Sequence, residues 1–160
     1  MSEHDEQSAF FEWVRYMALR DARYELIWAV PNAARRSWGL ARRMKAEGLT
    51  AGVPDVTIAV PCGGYHGMFI EFKHEKNTTT EQQKAMLELL ANHRYLALVA
   101  YSADQAVEIV QRYFAMGSSN GDFNRPTNAG GDTTHQPGEG TNSSKVIYLN
   151  PKARRIKKRE

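Results

Sequence analysis

Apolar residues recur along the chain at two spacings, which divide residues 7–114 into helices and strands. Phe10, Trp13, Val14 and Met17 follow the i, i+3, i+4, i+7 spacing that predicts an amphipathic helix over residues 7–20. Further helices are expected over 37–47, 80–92 and 103–114, and strands over 24–30, 56–60, 68–72 and 95–100. The core order α-β-β-α-β-α predicts an α/β fold with a mixed central sheet flanked by helices. Helix 80–92 would cross between two parallel strands.

A β-hairpin is predicted from the strands at 56–60 and 68–72, which are joined by a turn-like stretch with three glycines. If Val60 lies opposite Met68, the odd-numbered residues of both strands share one face of the hairpin. Asp55 then lies opposite Lys73, and Asp55 and Glu71 become diagonal neighbours about 7–8 Å apart at the backbone. Two carboxylates and an ammonium group would converge beside an apolar core.

This group of charged side chains suits attack on a phosphodiester. Two carboxylates can hold Mg²⁺ while waters and phosphate oxygens complete its octahedral shell. Lys73 can orient the attacking water or help to deprotonate it, and a bound metal polarises the phosphodiester. An ordinary cross-strand ion pair between Asp55 and Lys73 explains the same residues, so the pattern alone leaves both interpretations open.

Polar residues on two helices are candidates to complete such a site. Glu3 and Glu6 extend the apolar stripe of the first helix backwards, so either can face the hairpin. Acidic residues near a helix start also complement the helix dipole without any functional role. Gln83 ends the stretch Thr80-Glu81-Gln82-Gln83, which fits a capping box, and this structural explanation competes with a functional one.

A basic stretch precedes the hairpin and is opposed only by Glu47; its five cations are Arg35, Arg36, Arg42, Arg43 and Lys45. Next to an acidic site, such a patch favours contact with phosphate, since the site alone would repel a polyanion. A solvated helix face is the other interpretation of these residues.

Charge and composition set the C-terminal part of the chain apart. The net charge of +3 conceals a charge of +6 on residues 145–160 and of −3 on residues 1–144. Residues 117–144 are rich in Gly, Ser, Asn and Thr, which predicts a disordered linker. The apolar segment 145–149 can be a short docking strand or a peptide motif. The basic end favours nucleic acid through counterion release, or it only aids solubility.

Several functional classes are disfavoured. No apolar run approaches the length of a membrane span, and the first residues are too polar for a signal peptide. Cys62 is the single cysteine, so neither an internal disulfide nor a cysteine zinc cluster is expected. The histidines show no metal-ligand spacing. A cytoplasmic protein is the expectation.

The chain resembles the VRR-NUC nucleases of the PD-(D/E)xK superfamily at three motifs in order: Gly52-Val53-Pro54-Asp55, Gly67-Met68-Phe69-Ile70-Glu71-Phe72-Lys73 and Thr80-Glu81-Gln82-Gln83. Residues 45–52 and the Arg-rich stretch after Pro31-Asn32 are similar to stand-alone phage and bacterial members. The likeness covers roughly residues 3–114. One departure is Arg94, where members often have glycine. Because arginine lacks the backbone freedom of glycine, the turn at the end of helix 80–92 is expected to differ.

The resemblance implies a restriction-endonuclease-like core, dependence on Mg²⁺ or Mn²⁺, and cleavage of DNA, often at branched or flapped structures. By motif, Asp55 and Glu71 would bind the metal, Lys73 would act on the water, and Gln83 matches the family glutamine. The family also has an acidic residue on its first helix, which corresponds to Glu3 or Glu6. Glu3 fits the Glu-x-x-x-Gln start slightly better. The nuclease domain would span residues 1–116, followed by the linker at 117–144 and the basic tail at 145–160.

We therefore predict a metal-dependent endonuclease that hydrolyses phosphodiester bonds of branched DNA, at a four-way junction or a flap, in a bacterial or phage-infected cytoplasm. A homodimer is one arrangement that the resemblance allows, because two sites suit a four-way junction. Neither a membrane nor a small-molecule cofactor is expected as a partner. The alternative is a non-catalytic DNA-binding module in which the acidic residues are structural. In a third hypothesis, the tail recruits a partner and the core acts only in that complex.

Overall fold

The computed structural model describes residues 2–31, 38–74, 77–117 and 147–148 of the 160-residue chain. Its helices are α1 (Glu3–Ala18), α2 (Trp38–Ala46), α3 (Glu81–Asn92) and α4 (Ala103–Ala115), with a 3-10 helix at Ala22–Leu26. Its strands are β1 (Ile27–Ala29), β2 (Val56–Ile58), β3 (Met68–Phe72), β4 (Leu96–Ala100) and β5 (Ile147–Tyr148). Apart from Gly117 and β5, the predicted linker and tail lie outside the described residues.

Side-chain caps fix where the helices that flank the site begin. Ser2 and Asp5 form a capping box that starts α1 at Glu3, four residues before the predicted start at residue 7. Glu3 and Glu6 therefore belong to the helix itself. Thr80 and Gln83 form the predicted capping box at the start of α3. In the strand predicted over 24–30, residues 24–26 belong to the 3-10 helix, and β1 is a strand of only three residues.

The five strands lie in the order β1-β2-β3-β4-β5. The pairs β1–β2 and β2–β3 are antiparallel, whereas β3–β4 and β4–β5 are parallel. Helix α3 connects β3 to β4, which confirms the predicted crossover. Within the described residues, no helix is long and apolar enough to cross a membrane.

Each face of the sheet is covered by different helices. The even-numbered residues of β2 and β3 point to the main core, where they pack with residues of α1 and α4 such as Phe10 and Tyr113. Leu87 of α3 packs on the opposite face with Ala97 and Val99 of β4. Glu71 is an odd-numbered residue of β3 and therefore projects towards the α3 side of the sheet.

The hairpin register differs from the predicted one by two residues. Ile58, not Val60, pairs with Met68, and Val56 pairs with Ile70. Extending this register by one pair places Asp55 directly opposite Glu71, so the predicted pairing of Asp55 with Lys73 and the diagonal placement of Glu71 are wrong. The shift is an even number of residues, so Asp55, Glu71 and Lys73 still share one face, as predicted.

The longer connection that causes this shift is held together by its own contacts. Cys62 and Tyr65 form an isolated β-bridge around Gly63 and Gly64. The buried hydroxyl of Tyr113 donates to the Val60 carbonyl at 2.7 Å and accepts from the Cys62 N–H at 3.1 Å. These backbone groups no longer pair with a neighbouring strand, and a side chain of α4 supplies their hydrogen bonds instead.

Arg94, between α3 and β4, also contacts this hairpin turn. Arg94 adopts the left-handed backbone conformation, with a φ of 62°, that glycine adopts most easily. The turn therefore keeps the backbone geometry of a glycine, contrary to our expectation that it would differ. Its guanidinium Nη2 donates to the Gly64 carbonyl at 3.0 Å, and its carbonyl accepts from the His66 N–H at 3.0 Å. These two bonds offset the cost of the backbone conformation, which is about 1–2 kcal/mol for an L-residue.

Removing the Tyr113 hydroxyl should destabilise the fold. In Tyr113→Phe, the buried Val60 carbonyl and Cys62 N–H both lose a partner, and we expect the free energy of unfolding to fall by about 1–3 kcal/mol. Urea denaturation measures this change. Tyr16→Phe is the matched control, because Tyr16 is exposed, and its expected effect is below about 0.5 kcal/mol. Equal effects of the two substitutions would show that the buried hydroxyl does not hold the turn.

Candidate active site

Glu71 lies at the centre of a group of polar side chains at the carboxyl end of β3. Only 1% of its surface is exposed. Its Oε1 accepts hydrogen bonds from Lys73 Nζ at 2.6 Å and from Gln83 Nε2. Its Oε2 is buried and has no hydrogen-bond partner among the residues that the structure describes. Burial and the nearby charge of Asp55 raise the pKa of Glu71 to about 7, although the hydrogen bond from Lys73 opposes both.

Asp55 is half-buried beside Glu71, at the start of β2. Its Oδ2 accepts a hydrogen bond from the Phe72 N–H at 2.9 Å, which fixes the carboxylate against β3. Burial raises the pKa of Asp55, and the hydrogen bond from Phe72 and the charge of Lys73 offset only part of this effect. Residues directly opposite each other on antiparallel strands have Cβ atoms about 5 Å apart. Two carboxylates of raised pKa therefore face the same small region.

Gln83 contacts both the helix start and the acidic pair. Its Oε1 accepts from the Thr80 N–H at 2.9 Å, which completes the capping box of α3. Its Nε2 donates to Glu71 Oε1. The predicted cap is therefore confirmed, and the same amide also contacts the acidic pair, because it has one acceptor and one donor end. A functional role for Gln83 stays a prediction.

The two acidic residues of α1 have different neighbours. Glu3 Oε1 accepts from the His74 N–H at 3.0 Å and from Asn77 Nδ2 at 2.9 Å. Burial raises the pKa of Glu3, but these hydrogen bonds and the charge of Lys73 outweigh it, so the pKa is lowered overall. Glu6 Oε2 instead accepts from the Ala103 N–H at 2.7 Å, at the first residue of α4. Glu3 thus lies next to the acidic pair, whereas Glu6 binds the N-terminus of α4.

A cleft of about 280 Å³ opens beside the acidic pair. Asp55 and Gln83 line one side of it, and Lys45 of α2 and the loop 49–53 line another. Gly52 in this loop has a φ of 84°, and a Cβ atom there would lie 2.7 Å from the Gln82 carbonyl oxygen. Only glycine lets the loop approach the start of α3 this closely.

Of the three predicted nucleic-acid-binding cations that the structure describes, Lys45 alone lines the cleft. Arg43 is exposed and pairs with Glu47 at 2.8 Å, and Arg42 is exposed on α2. Arg35 and Arg36 lie outside the described residues. The structure therefore places one of these cations at the cleft beside Asp55. Nucleic-acid binding by all five stays a prediction.

Comparison with known proteins identifies the fold that carries this arrangement. The model of the VRR-NUC domain matches residues 2–104. The chain belongs to the VRR-NUC domain family. A solved structure named as a VRR_NUC domain protein is 28% identical, with a TM-score of 0.61 over 74% of this chain and 92% of that chain. The comparison with curated proteins gives no match. VRR-NUC domains are generally nuclease domains, and the expected mixed α/β core is confirmed.

The donor atoms of this VRR-NUC site suit a hard divalent cation. Among the described residues, no group of three or more His, Cys, Asp and Glu side chains is arranged to hold a metal ion. Mg²⁺, however, is usually held by one or two carboxylates, with waters and substrate phosphates as its other ligands. Asp55 and Glu71 supply two carboxylates, and the unpartnered Glu71 Oε2 is a buried acceptor that such an ion would satisfy. The residues present therefore fit Mg²⁺ or Mn²⁺.

No local sequence pattern indicates the groups that orient Glu3. The backbone N–H of His74 and the side chain of Asn77 come from the polar stretch that follows β3. Their contacts with Glu3 span 71 and 74 residues of chain. These contacts can be predicted only if one knows where α1 packs against the carboxyl end of β3.

Substitution of Gly52 should disturb this VRR-NUC site through its loop. In Gly52→Ala, the alanine must adopt a left-handed backbone, and its Cβ would clash with the Gln82 carbonyl. We expect these two effects to lower the free energy of unfolding by about 1–3 kcal/mol, as measured by urea denaturation. Gly48→Ala is the matched control, because Gly48 also has a positive φ, 100°, but a Cβ there meets nothing within 4 Å. A loss for Gly52→Ala no greater than that for Gly48→Ala would show that the close approach does not matter.

Proposed function

We propose that the chain is a Mg²⁺- or Mn²⁺-dependent endonuclease that hydrolyses phosphodiester bonds of branched DNA. The observation that carries this proposal is the pairing of Asp55 with Glu71, whose buried Oε2 has no partner within the described residues. Burying an ionised carboxylate costs several kcal/mol unless a counter-charge compensates. Lys73 compensates one oxygen of Glu71, and a divalent cation would compensate the other.

Each residue of the site has a role that follows from its contacts. Asp55 and Glu71 would hold the cation, which when bound supplies charge neutralisation at the phosphate and a more acidic water. Lys73 is itself 8% exposed and is fixed by its bond to Glu71, so its ammonium group is positioned to orient the attacking water. Gln83 holds Glu71 in place from α3. Glu3 adds negative charge that raises the pKa of both carboxylates, so it can support cation binding from the edge.

The cleft supports a substrate that has an unpaired strand near the bond to be cut. Its volume of about 280 Å³ lies at the lower end of small-molecule sites and is far too small for a duplex. Lys45 offers a phosphate contact at its wall. A junction or flap presents single-stranded or distorted DNA next to a duplex, which agrees with the substrate class that the resemblance implies.

Removal of the Asp55 carboxylate should abolish cleavage. We expect Asp55→Asn to lower the cleavage rate at least about a hundredfold, because a metal-bound phosphate gains several kcal/mol of transition-state stabilisation. The measurement uses end-labelled single-strand, duplex, flap and four-way-junction DNA with Mg²⁺ and with Mn²⁺. Asp104→Asn is the matched control, since Asp104 is an exposed carboxylate on α4.

Thermal unfolding separates metal binding from catalysis in the same variants. Saturating Mg²⁺ or Mn²⁺ should raise the midpoint for the wild type and Asp104→Asn but not for Asp55→Asn, because a ligand at 100 times its Kd stabilises the native state by about 2.7 kcal/mol. Binding of junction DNA without cleavage in any divalent metal would favour the alternative, a non-catalytic DNA-binding module. Unchanged cleavage by Asp55→Asn would eliminate the proposed site.

The two acidic residues of α1 should differ in function. Glu3→Gln is expected to lower cleavage about tenfold, as the loss of a supporting group beside a metal usually does. Glu6→Gln should leave cleavage unchanged and cost about 0.5–1 kcal/mol of stability, because the charge at the start of α4 is lost. Cleavage rates and urea unfolding of both variants provide the comparison. If Glu6→Gln lowers cleavage as much as Glu3→Gln, this assignment is wrong.

A further inference from the structure

An uncharged row of side chains lies beside the acidic pair on the same face of the sheet. Trp28 of β1, Thr57 of β2 and Phe69 of β3 are paired in register, one residue from each strand. Their neighbours along the strands, such as Ile58, are buried in the main core. Because side chains alternate along a strand, the row lies on the other face, which is the face of the acidic pair.

This row is continuous with the cleft beside the acidic pair. The Val30 N–H donates to the Asp55 carbonyl at 2.8 Å, so the pairing of β1 with β2 continues into the cleft wall, where both residues lie. Val30, Asp55 and Glu71 are each two residues away from the row along their strands. Two residues of a strand span about 7 Å, which is about two phosphate spacings along one strand of a duplex. A nucleotide next to a phosphate at the acidic pair therefore has its base within reach of the row.

The row is open to solvent and has room for one nucleobase. Trp28 is 46% exposed, although tryptophan is highly buried on average, and Thr57 and Phe69 are half-buried. Side chains stand roughly perpendicular to a sheet, so Trp28 and Phe69 rise on either side of the shorter Thr57. Their backbones are two strand spacings apart, about 10 Å. This separation exceeds twice the distance of about 3.4 Å between stacked bases.

A cluster of rings holds Phe69 from the β4 side. The rings of Phe69 and Tyr95 meet edge to face with centroids 5.4 Å apart, and those of Tyr95 and His66 meet in the same way at 5.7 Å. Gly67 makes room for this packing, since a Cβ atom there would lie 3.5 Å from the Tyr95 ring. Phe69 is thus fixed before any ligand binds, which lowers the entropy lost when a base stacks on it.

We propose that Trp28 and Phe69 form a stacking site for one unpaired nucleobase of the DNA strand that is cut at the acidic pair. This inference rests on the proposed function for the identity of the substrate, and it names the feature of branched DNA that the site selects. Phosphates are bound by cations, so the base is the part of a nucleotide that suits an uncharged row. Bases of a duplex are stacked on one another, whereas unpaired bases are free to stack on aromatic side chains.

Binding by an uncleaving protein tests the stacking site without requiring hydrolysis. In Asp55→Asn protein, Trp28→Ala removes the exposed ring, and Phe69→Leu removes the second ring but keeps apolar bulk in the cluster. Tyr16→Ala is the matched control, because Tyr16 is an exposed aromatic residue on α1, which covers the other face of the sheet. Fluorescence anisotropy gives the Kd for a labelled flap and for the intact duplex of the same sequence.

We expect Trp28→Ala to raise the Kd for the flap at least about fivefold, the lower end of the loss for one stacked base. Phe69→Leu should weaken flap binding in the same direction, and Trp28→Tyr, which keeps an aromatic ring, should restore most of the affinity. The Kd for the duplex should stay unchanged in all three variants, and Tyr16→Ala should bind both DNAs as the parent does. An equal loss for flap and duplex would overturn the proposal, because it would show that the rings only support the fold.

An abasic scan shows whether the ring acts on a base. The same flap is made with one abasic nucleotide at each position of its unpaired strand in turn. At one position, we expect the parent to bind the abasic flap at least about fivefold more weakly, and Trp28→Ala to cause no further loss there. Ring and base then form a single interaction, and their losses are not additive. Losses that add at every position would show that Trp28 does not stack on a base.

Two further measurements separate the remaining explanations. If Trp28→Ala changes the molecular mass in sedimentation but not the Kd for the flap, the row is an interface between copies of the chain and the proposal is wrong. Cleavage of the same flap by the wild type is measured with Mg²⁺. A flap that shows the non-additive loss but is never cut would refute the proposed function and leave the stacking site intact. Cleavage without the non-additive loss would refute the stacking site alone.

Discussion

A buried carboxylate with one unpartnered oxygen is the constraint on which the rest of the site depends. Glu71 is removed from water by α3 on its side of the sheet, and its position in β3 is fixed by pairing with a strand on each side. Such a carboxylate is stable only if cations or donors surround it. Lys73 and Gln83 supply two donors to one oxygen, and the charge of Asp55, a second carboxylate, lies near the group.

The surrounding fold is arranged so that four separate segments reach this one carboxylate. The antiparallel β2 brings Asp55 to it, the crossover helix α3 brings Gln83, and the start of α1 brings Glu3. Lys73 follows Glu71 on the same strand. These groups come from different elements of the fold, so no single segment forms the site on its own. A change in the register of β2 by one residue would turn Asp55 to the opposite face and separate the two carboxylates.

The parts of this arrangement that depend on local pattern could be predicted from the sequence. The period of two keeps Asp55, Glu71 and Lys73 on one face for any register shift by an even number of residues, and the capping box starts α3 so that Gln83 falls near its beginning. The register itself could not be predicted, because Tyr113, which is 51 to 53 residues away, holds the connection after β2. The choice between Glu3 and Glu6 depends on which element faces each turn of α1. That packing is a long-range property, and no local residue spacing reveals it.

The conformation of Arg94 has a consequence for where the domain can move. Its two hydrogen bonds join the end of α3 to the hairpin turn, so neither can open without breaking the other's contacts. Opening at this edge is therefore cooperative, and the His66 amide should exchange its hydrogen only through events that also release the end of α3. At the other end of the same strands, α3 is joined to β3 through the side-chain hydrogen bond from Gln83 to Glu71. Helix α3 is thus tied to the hairpin at both of its ends.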